Sequence, residues 1–198
     1  MDRTAYPVVV IGAGPVGLAA AAHLLERNLE PLVLERGDAA GASIRAWGHV
    51  RLFSPWRYAI DRAASDLLSE TGWRAPKPEE YPTGNALVDR YLAPLASLPA
   101  MRERVRYGAE VVSVTRDGFD KMKSPGRDEA PFLVTVRSAD GSEDTIPARA
   151  VIDASGTWTR PNPLGAAGRP AIGERAVADR IAYGIPDVVG TARQRYAG

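Results

Sequence analysis

The apolar positions at the start of the chain predict a strand, a helix and a second strand. Residues 8–11 form a continuous β-branched run, which is typical of a strand buried on both faces of a parallel sheet. From Val16 to about Asn28 the apolar spacing suits a helix that packs on a sheet, and Pro15 suits its first turn. Residues 31–34 predict a second short strand that ends at Glu35.

The pattern becomes irregular after the second strand. Residues 37–82 contain Gly-Ala pairs, several prolines and three tryptophans, which predict loops and short helices. Asn85 is predicted to cap a helix that runs through Leu95 and that Pro94 kinks or shortens.

Strand signals return in the later part of the chain. A strand is predicted at residues 110–114, followed by a polar loop at 117–129. The turn at residues 139–142, with Asp-Gly at its centre, predicts a hairpin between strands at 132–137 and 144–147. A buried strand at 150–152 follows, and the tail from Thr157 is rich in Pro and Gly. The prediction is an α/β fold with a parallel sheet plus a small β-meander.

Composition narrows the classes of partner. The 198 residues suit one domain or one and a half, and a net charge of +1 gives no field that would hold nucleic acid or anionic lipid. We therefore expect neither nucleic-acid nor membrane partners. Cysteine is absent, and only two histidines are present. This composition removes disulfides and thiolate sites and argues against a His-rich metal site, so we predict no metal.

The apolar run at residues 7–25 imitates a membrane span or a signal peptide. Three glycines and Pro15 interrupt it, and Asp2 offsets Arg3 in the region that would have to be positive. We therefore expect a cytoplasmic protein.

A Gly-rich hexapeptide between the first strand and the first helix matches the dinucleotide-binding fingerprint. Its glycines allow a tight turn, close approach of the backbone to a pyrophosphate, and tight packing of helix on strand. The start of the helix adds free N–H groups and the positive end of a dipole. The residues predicted to bind the pyrophosphate are Gly12, Ala13, Gly14, Pro15, Val16 and Gly17.

Glu35 has the spacing expected of the acidic residue that binds the adenosine ribose. Its charge would oppose a 2′-phosphate, so the site favours FAD or NAD over NADP. Arg36 either shields this carboxylate, lies along the adenine, or is a solvated surface charge.

The rest of the chain separates FAD from NAD. A short-chain dehydrogenase would carry Tyr-x-x-x-Lys, and no tyrosine here has Lys four positions later. Instead a hairpin leads to a strand that ends in Ala154, Ser155 and Gly156. Here the sequence resembles the flavoproteins with two dinucleotide-binding domains, which include flavin-containing and Baeyer–Villiger monooxygenases. In that family a three-stranded meander leads to an Ala-Thr-Gly-like turn near the flavin pyrophosphate.

The resemblance implies further cofactor contacts. Residues 41–44 stand where the family often has Gly-Gly-Thr-Trp, with Ile44 in place of Trp, and residues 50–55 resemble its stretch against the flavin. Residues 81–84 resemble the lead-in to the next helix of the family. The implied contacts are Ser43, Leu52, Phe53, the backbone of Val111 at the adenine edge, and the turn of Ala154, Ser155 and Gly156.

The resemblance also implies a domain organisation. Residues 1–165 correspond to the N-terminal part of a Rossmann-like FAD-binding domain, with the irregular insertion at about 37–82. Residues 166–198 correspond to a linker or tail that leads to an NADPH-binding domain absent from this chain. Neither the second Gly-x-Gly-x-x-Gly turn of the family nor its Phe-x-Gly-x-x-x-His signature follows Gly17. NADPH is therefore expected only for a full-length relative, and this chain alone is not expected to turn over with NADPH.

The leading hypothesis is a monooxygenase-like, FAD-dependent oxidoreductase that acts on an unidentified small molecule. Two alternatives stay open: an NAD-dependent dehydrogenase that uses the single site, and a nucleotide-binding fragment without turnover. The sequence singles out no catalytic residue and leaves self-association open. The four tryptophans form either a wall for the flavin or parts of the core.

Overall fold

The two apolar runs at the start of the chain lie side by side as parallel strands, with Val10 opposite Val33. The computed structural model describes residues 5–197. The first four residues, which include Asp2 and Arg3, and Gly198 lie outside the described part. The strands are β1 (Val8–Ile11), β2 (Pro31–Leu34), β3 (Val105–Arg106), β4 (Ala109–Arg116), β5 (Phe132–Ser138), β6 (Glu143–Ala148) and β7 (Ala150–Asp153).

Short helices fill most of the connections. The α-helices are α1 (Pro15–Glu26), α2 (Ala42–Arg45), α3 (Arg62–Ser69), α4 (Gly84–Leu87), α5 (Ala93–Ser97), α6 (Pro99–Arg102) and α7 (Arg193–Tyr196). A π-helical turn, Val88–Leu92, joins α4 to α5, and 3₁₀ turns lie at Trp56–Tyr58, Ala166–Gly168 and Glu174–Arg180.

The strands form two sheets, as predicted. The parallel sheet has the order β3-β2-β1-β7, and the antiparallel meander has the order β4-β5-β6. The hairpin between β5 and β6 turns through Gly141, whose φ of +85° suits glycine. Ser138 N donates to Ser142 O at 2.9 Å and closes that turn.

The parallel sheet is the middle of three layers, because its alternate side chains enter different cores. Val10 and Val33 face the helices, where they pack with Leu18 of α1 in the larger core. Val9 and Leu34 face the meander and join the smaller core, which contains Val134, Val136 and Ala148. Both faces of the central strands are buried, which explains their continuous apolar sequence.

The helix predicted after Asn85 begins earlier. Thr83 is its N-cap, since the Thr83 side chain accepts a hydrogen bond from Ala86 N at 3.1 Å. Asn85 lies inside the first turn, and its Oδ1 accepts from the Arg45 guanidinium at 3.2 Å. The predicted cap at Asn85 is therefore wrong, since Thr83 is the N-cap and the Asn85 side chain contacts Arg45.

Pro94 disturbs this helix, as predicted, and a tryptophan compensates. Proline has no N–H, so Pro94 cannot donate to the carbonyl of Arg90 four residues earlier. The indole Nε1 of Trp73 donates to that carbonyl at 2.8 Å instead. The π-helical turn lies directly before the proline.

The irregular segment contains one longer helix, α3, which packs against α1. Asp61 caps it by accepting a hydrogen bond from Ala64 N at 3.1 Å, and His23 Nε2 of α1 lies 3.0 Å from the other Asp61 oxygen. Burial opposes the charge of Asp61, yet these hydrogen bonds keep the pKa of its carboxyl below the usual value.

The tail folds around one buried carboxylate. Glu174 is 4% exposed and accepts hydrogen bonds from Leu164 N, Ala171 N and the Tyr183 hydroxyl. The Tyr183 bond is the main cause that lowers the pKa of Glu174. The role of residues 166–198 as a linker stays a prediction. Within residues 5–197, no helix has both the length and the apolar composition needed to cross a membrane.

We predict that Gly17→Ala lowers the free energy of unfolding by about 1–3 kcal/mol, although alanine favours helices. A Cβ at Gly17 would lie 1.9 Å from Gly12 O, where backbone must move. Gly14→Ala is the matched control, since a Cβ there meets nothing within 4 Å. Its cost should stay below about 1 kcal/mol. Urea denaturation measures both, and equal costs for the two variants would refute this account of the turn.

Candidate functional site

The candidate site lies at the point of the parallel sheet where the strand order reverses. From β1 the chain proceeds to β2 on one side, whereas β7 returns on the other side of β1. In parallel α/β sheets, ligands bind at such a switch point, beyond the carboxyl ends of the strands. At this place the Gly-rich turn follows β1, and Ser155 and Gly156 follow β7.

The three glycines of the fingerprint differ in what a side chain at each position would meet. Gly12 has a φ of +100°, and a Cβ there would lie 2.8 Å from the carbonyl oxygen of Ala154, so this position needs glycine. Gly17 packs α1 closely against the turn. Gly14 differs, because a Cβ would meet no described atom within 4 Å. The backbone at Gly14 therefore faces open space, as a turn that receives a phosphate group requires.

The beginning of α1 adds donors to this open space. Gly14 is the N-cap and Pro15 the first helical residue of the 12-residue helix. The N–H groups of Gly14, Val16 and Gly17 precede the first intrahelical bond, and the α1 dipole has its positive end here. No acidic residue lies in the first turn. The local charge therefore favours an anion.

Glu35 joins the turns that follow β1 and β2. Its Oε2 accepts a hydrogen bond from Ala13 N at 2.7 Å, and its Oε1 accepts from Gly37 N at 2.8 Å. The residue is 9% exposed, so both bonds are largely shielded from water. Each carboxylate oxygen has capacity for a further bond, which suits a ribose diol.

A cavity of about 520 Å³ collects seven of the predicted residues. Its walls also include the carboxyl ends of β1 and β2 and one edge of β4. The predicted residues that line it are Gly12, Glu35, Arg36, Ser43, Val111, Ser155 and Gly156. The structure thus brings together Glu35, the strand β4 that carries Val111, and the turn after β7.

The other predicted residues lie outside the lining of this cavity. Ala13 is buried and bonded to Glu35, whereas Val16 is 68% exposed at the start of α1. Leu52 packs against the larger core, and Phe53 is 96% exposed. Flavin contacts of Leu52 and Phe53 therefore stay predictions. The remaining predicted residues outside the lining are Gly14, Pro15, Gly17 and Ala154.

The polar lining residues that sequence reasoning missed include Asp153 and Arg160, and Tyr107 lies close enough to Glu35 to sense its charge. Asp153 is the last residue of β7 and lines the cavity. Arg160 also lines the cavity. The pKa of the Asp153 carboxyl is lowered, mainly by a hydrogen bond from the Ser155 hydroxyl. A second bond, which Ser155 N donates to Asp153 Oδ1 at 3.0 Å, adds to this effect. Burial and then the charge of Glu35 raise the pKa of Tyr107, which stays a neutral phenol. The position of Asp153 at a strand end was a usable signal, whereas Arg160 and Tyr107 had none.

Three of the four tryptophans belong to the larger core or pack against it, and a flavin contact of any tryptophan stays a prediction. Trp56 is buried in the larger core, and Trp73 lies 6.3 Å from Tyr91 between ring centroids. Trp47 and Trp158 form a tilted pair with centroids 6.5 Å apart, and both are partly exposed. Trp158 lies in sequence between the cavity residues Thr157 and Thr159. Trp47 packs against the larger core, so only Trp158 is next in sequence to residues of the site. Ile44, which replaces the tryptophan of the family, is buried in the core.

Comparison with known proteins identifies a family model that describes FAD dependent oxidoreductases and matches residues 7–117. Among curated proteins, thiamine thiazole synthase of Saccharolobus islandicus is 30% identical, with 89% of this chain and 64% of that protein covered. Digeranylgeranylglycerophospholipid reductase of Methanosarcina acetivorans is also 30% identical, with 76% of this chain and 41% of that protein covered.

Solved structures share the fold. Bacillithiol disulfide reductase of Bacillus cereus has a TM-score of 0.59 at 24% identity, covering 81% of this chain and 42% of that one. OTEMO in complex with FAD and NADP has a TM-score of 0.55 at 21% identity, covering 78% of this chain and 26% of that one. The chain spans less than two thirds of the length of each of these four proteins.

We predict that Glu35→Gln destabilises the protein even without nucleotide, by about 1–3 kcal/mol in the free energy of unfolding. Glutamine offers one acceptor oxygen, so its NH₂ group would face the N–H of Ala13 or Gly37. Glu110→Gln is the control, since Glu110 lines the same cavity but is exposed and lies 3.5 Å from Arg137. Its cost should stay below about 1 kcal/mol. Equal urea midpoints for wild type and Glu35→Gln would contradict the bridging role.

Proposed function

The chain belongs to the FAD dependent oxidoreductase family, and on this premise we propose that it binds FAD at the carboxyl ends of β1 and β7. Its activity would be the oxidation or reduction of a small molecule. The observation that carries the proposal is the open backbone at Gly14, beside a carboxylate that is already fixed to Ala13. An anion-binding helix start and a ribose acceptor thus adjoin each other.

The residues of the site fit FAD chemically. The N–H groups at the start of α1 and the Ser155–Gly156 turn would hold the pyrophosphate. Glu35 would accept hydrogen bonds from the ribose hydroxyls, and the backbone of Val111 would meet the adenine edge. When bound, FAD supplies the two-electron redox chemistry of its isoalloxazine ring. The contribution of this chain is to bind and orient the adenosine half.

Charge supports FAD or NAD rather than NADP. Asp153, Glu110 and Glu35 line the cavity together with two guanidinium groups, those of Arg36 and Arg160. A 2′-phosphate would lie against the Glu35 carboxylate, which costs several kcal/mol for like charges at contact. NAD is the runner-up ligand because the same ribose contacts would serve it.

The finer assignment is part of the proposal. The reaction would be a hydride or oxygen-atom transfer of the monooxygenase-like kind, on a small molecule, in the cytoplasm. Structural likeness to a protein bound to FAD and NADP supports the cofactor, although it carries no substrate over. Nucleic acid and membranes are not proposed as partners, because the net charge is +1.

We predict that Gly14→Glu weakens FAD binding by about a hundredfold or more, since a carboxylate would occupy the pyrophosphate space and oppose its charge. Quenching of flavin fluorescence on titration measures the dissociation constant. Wild-type protein should bind FAD more tightly than NAD, and NADP least tightly.

Gly14→Ala is the uncharged control, because its methyl group meets no protein atom within 4 Å and would crowd the pyrophosphate without opposing its charge. Its FAD affinity should fall much less than that of Gly14→Glu. Unchanged FAD affinity in Gly14→Glu would overturn the placement of the pyrophosphate. Tighter binding of NAD than of FAD by the wild type would favour a dehydrogenase instead.

A further inference from the structure

A second cavity lies apart from the dinucleotide site, and we propose that it binds a small organic anion. Its volume is about 410 Å³, and it shares no lining residue with the cavity at the switch point. We call it the Arg51–Arg90 groove, after the two arginines that line it. Its other walls include Trp56, Tyr81, Pro82 and Ala86.

Arg51 is held in place by the backbone on the other side of a β-bridge. Arg51 pairs with Thr83 in an isolated antiparallel bridge, and its Nη1 donates to the Tyr81 carbonyl at 2.6 Å. A guanidinium has five N–H donors in a fixed fork. One donor is used by Tyr81, so the others are free to bind an anion while the side chain stays oriented.

Arg90 is oriented by an aromatic ring. Its guanidinium carbon lies 5.5 Å from the centroid of the Trp56 ring, which is within range of a cation–π contact. Its backbone is fixed as well, because its carbonyl accepts the hydrogen bond from Trp73 Nε1. The second arginine of the groove is thus positioned by two contacts that leave its donors unused.

The charge balance of the groove favours an anion. Among residues 5–197, neither Arg51 nor Arg90 forms an ion pair with a carboxylate. The one carboxylate in the lining, Glu80, has its own cation, with Lys77 Nζ 3.4 Å from Glu80 Oε1. The lining thus carries two guanidinium groups against one carboxylate, and this excess of positive charge attracts a carboxylate or a phosphate, which the guanidinium fork can bind through two hydrogen bonds.

The remaining walls suggest what the anion is attached to. Tyr81, Pro82 and Ala86 present mainly apolar surface beside the arginines. Concave sites of this kind bind ligands with an apolar body and one polar group that fixes their orientation. The ligand class is therefore a small carboxylate or phosphate monoester with an apolar or aromatic body.

Isothermal titration calorimetry with three probes tests this proposal. Benzoate carries a carboxylate, phenyl phosphate carries a phosphate, and benzyl alcohol has the aromatic body without charge. We expect saturable binding of at least one anion and none of the alcohol. In Arg51→Gln and in Arg90→Gln the dissociation constant of that anion should rise about tenfold or more, because each variant removes a charged donor.

Two controls keep the test specific. Arg102→Gln removes an exposed arginine outside the groove and should leave the affinity unchanged. The Gly14→Glu protein, in which the dinucleotide site is blocked, should still bind the anion. Thermal melting checks the fold of each variant, and Arg90→Gln suffices if loss of the Tyr81 bond unfolds Arg51→Gln.

Four results would overturn the proposal. They are no saturable binding of either anion, equal binding of benzyl alcohol, unchanged affinity in the folded arginine variants, and loss of binding in Gly14→Glu alone. The comparison of benzoate with phenyl phosphate then decides between the two anionic groups. If the wild-type protein binds the anion but not FAD, the result counts against the proposed cofactor and not against the groove.

Discussion

The two hydrogen bonds of the Glu35 carboxylate are the interaction on which the candidate site depends. They connect Ala13, in the turn after β1, to Gly37, in the turn after β2. Both bonds are charge-assisted and nearly buried, which makes them stronger than ordinary backbone contacts. The same carboxylate that would receive the ribose therefore also sets the conformation of the turn that would receive the pyrophosphate. Binding and local stability are coupled at this residue.

The glycines of the turn act together with that carboxylate. Gly12 and Gly17 allow β1, α1 and the turn after β7 to approach more closely than any side chain would permit. Of the three fingerprint glycines, Gly14 alone faces open space in the described structure. A scaffold that is tight at two points and open at the third concentrates free N–H groups at one place. The family membership of the chain agrees with this geometry.

Local pattern was sufficient to predict most of the fold and the centre of the site. β1, β2 and the hairpin follow from β-branched runs and an Asp-Gly turn, and Glu35 follows from its spacing to the Gly-rich turn. The errors come from long-range contacts. Thr83 and Asn85 are both good capping residues, and in the structure Thr83 is the cap while the Asn85 side chain contacts Arg45, 40 residues earlier in the chain. Similarly, no local signal brings Arg160 to the cavity or Trp73 to the carbonyl that Pro94 leaves free.

The most direct test of the central claim follows the backbone amides during titration with FAD. In ¹H–¹⁵N spectra, the account predicts that the amides of Ala13, Gly14, Gly17, Ser155 and Gly156 shift together and saturably. The chemical shifts of the β5–β6 turn, such as that of the Gly141 amide, should not change, because this turn belongs to the meander and does not line the cavity. Saturable shifts confined to residues outside the Gly-rich turn, with Gly14 unaffected, would contradict the claim that this turn receives the cofactor.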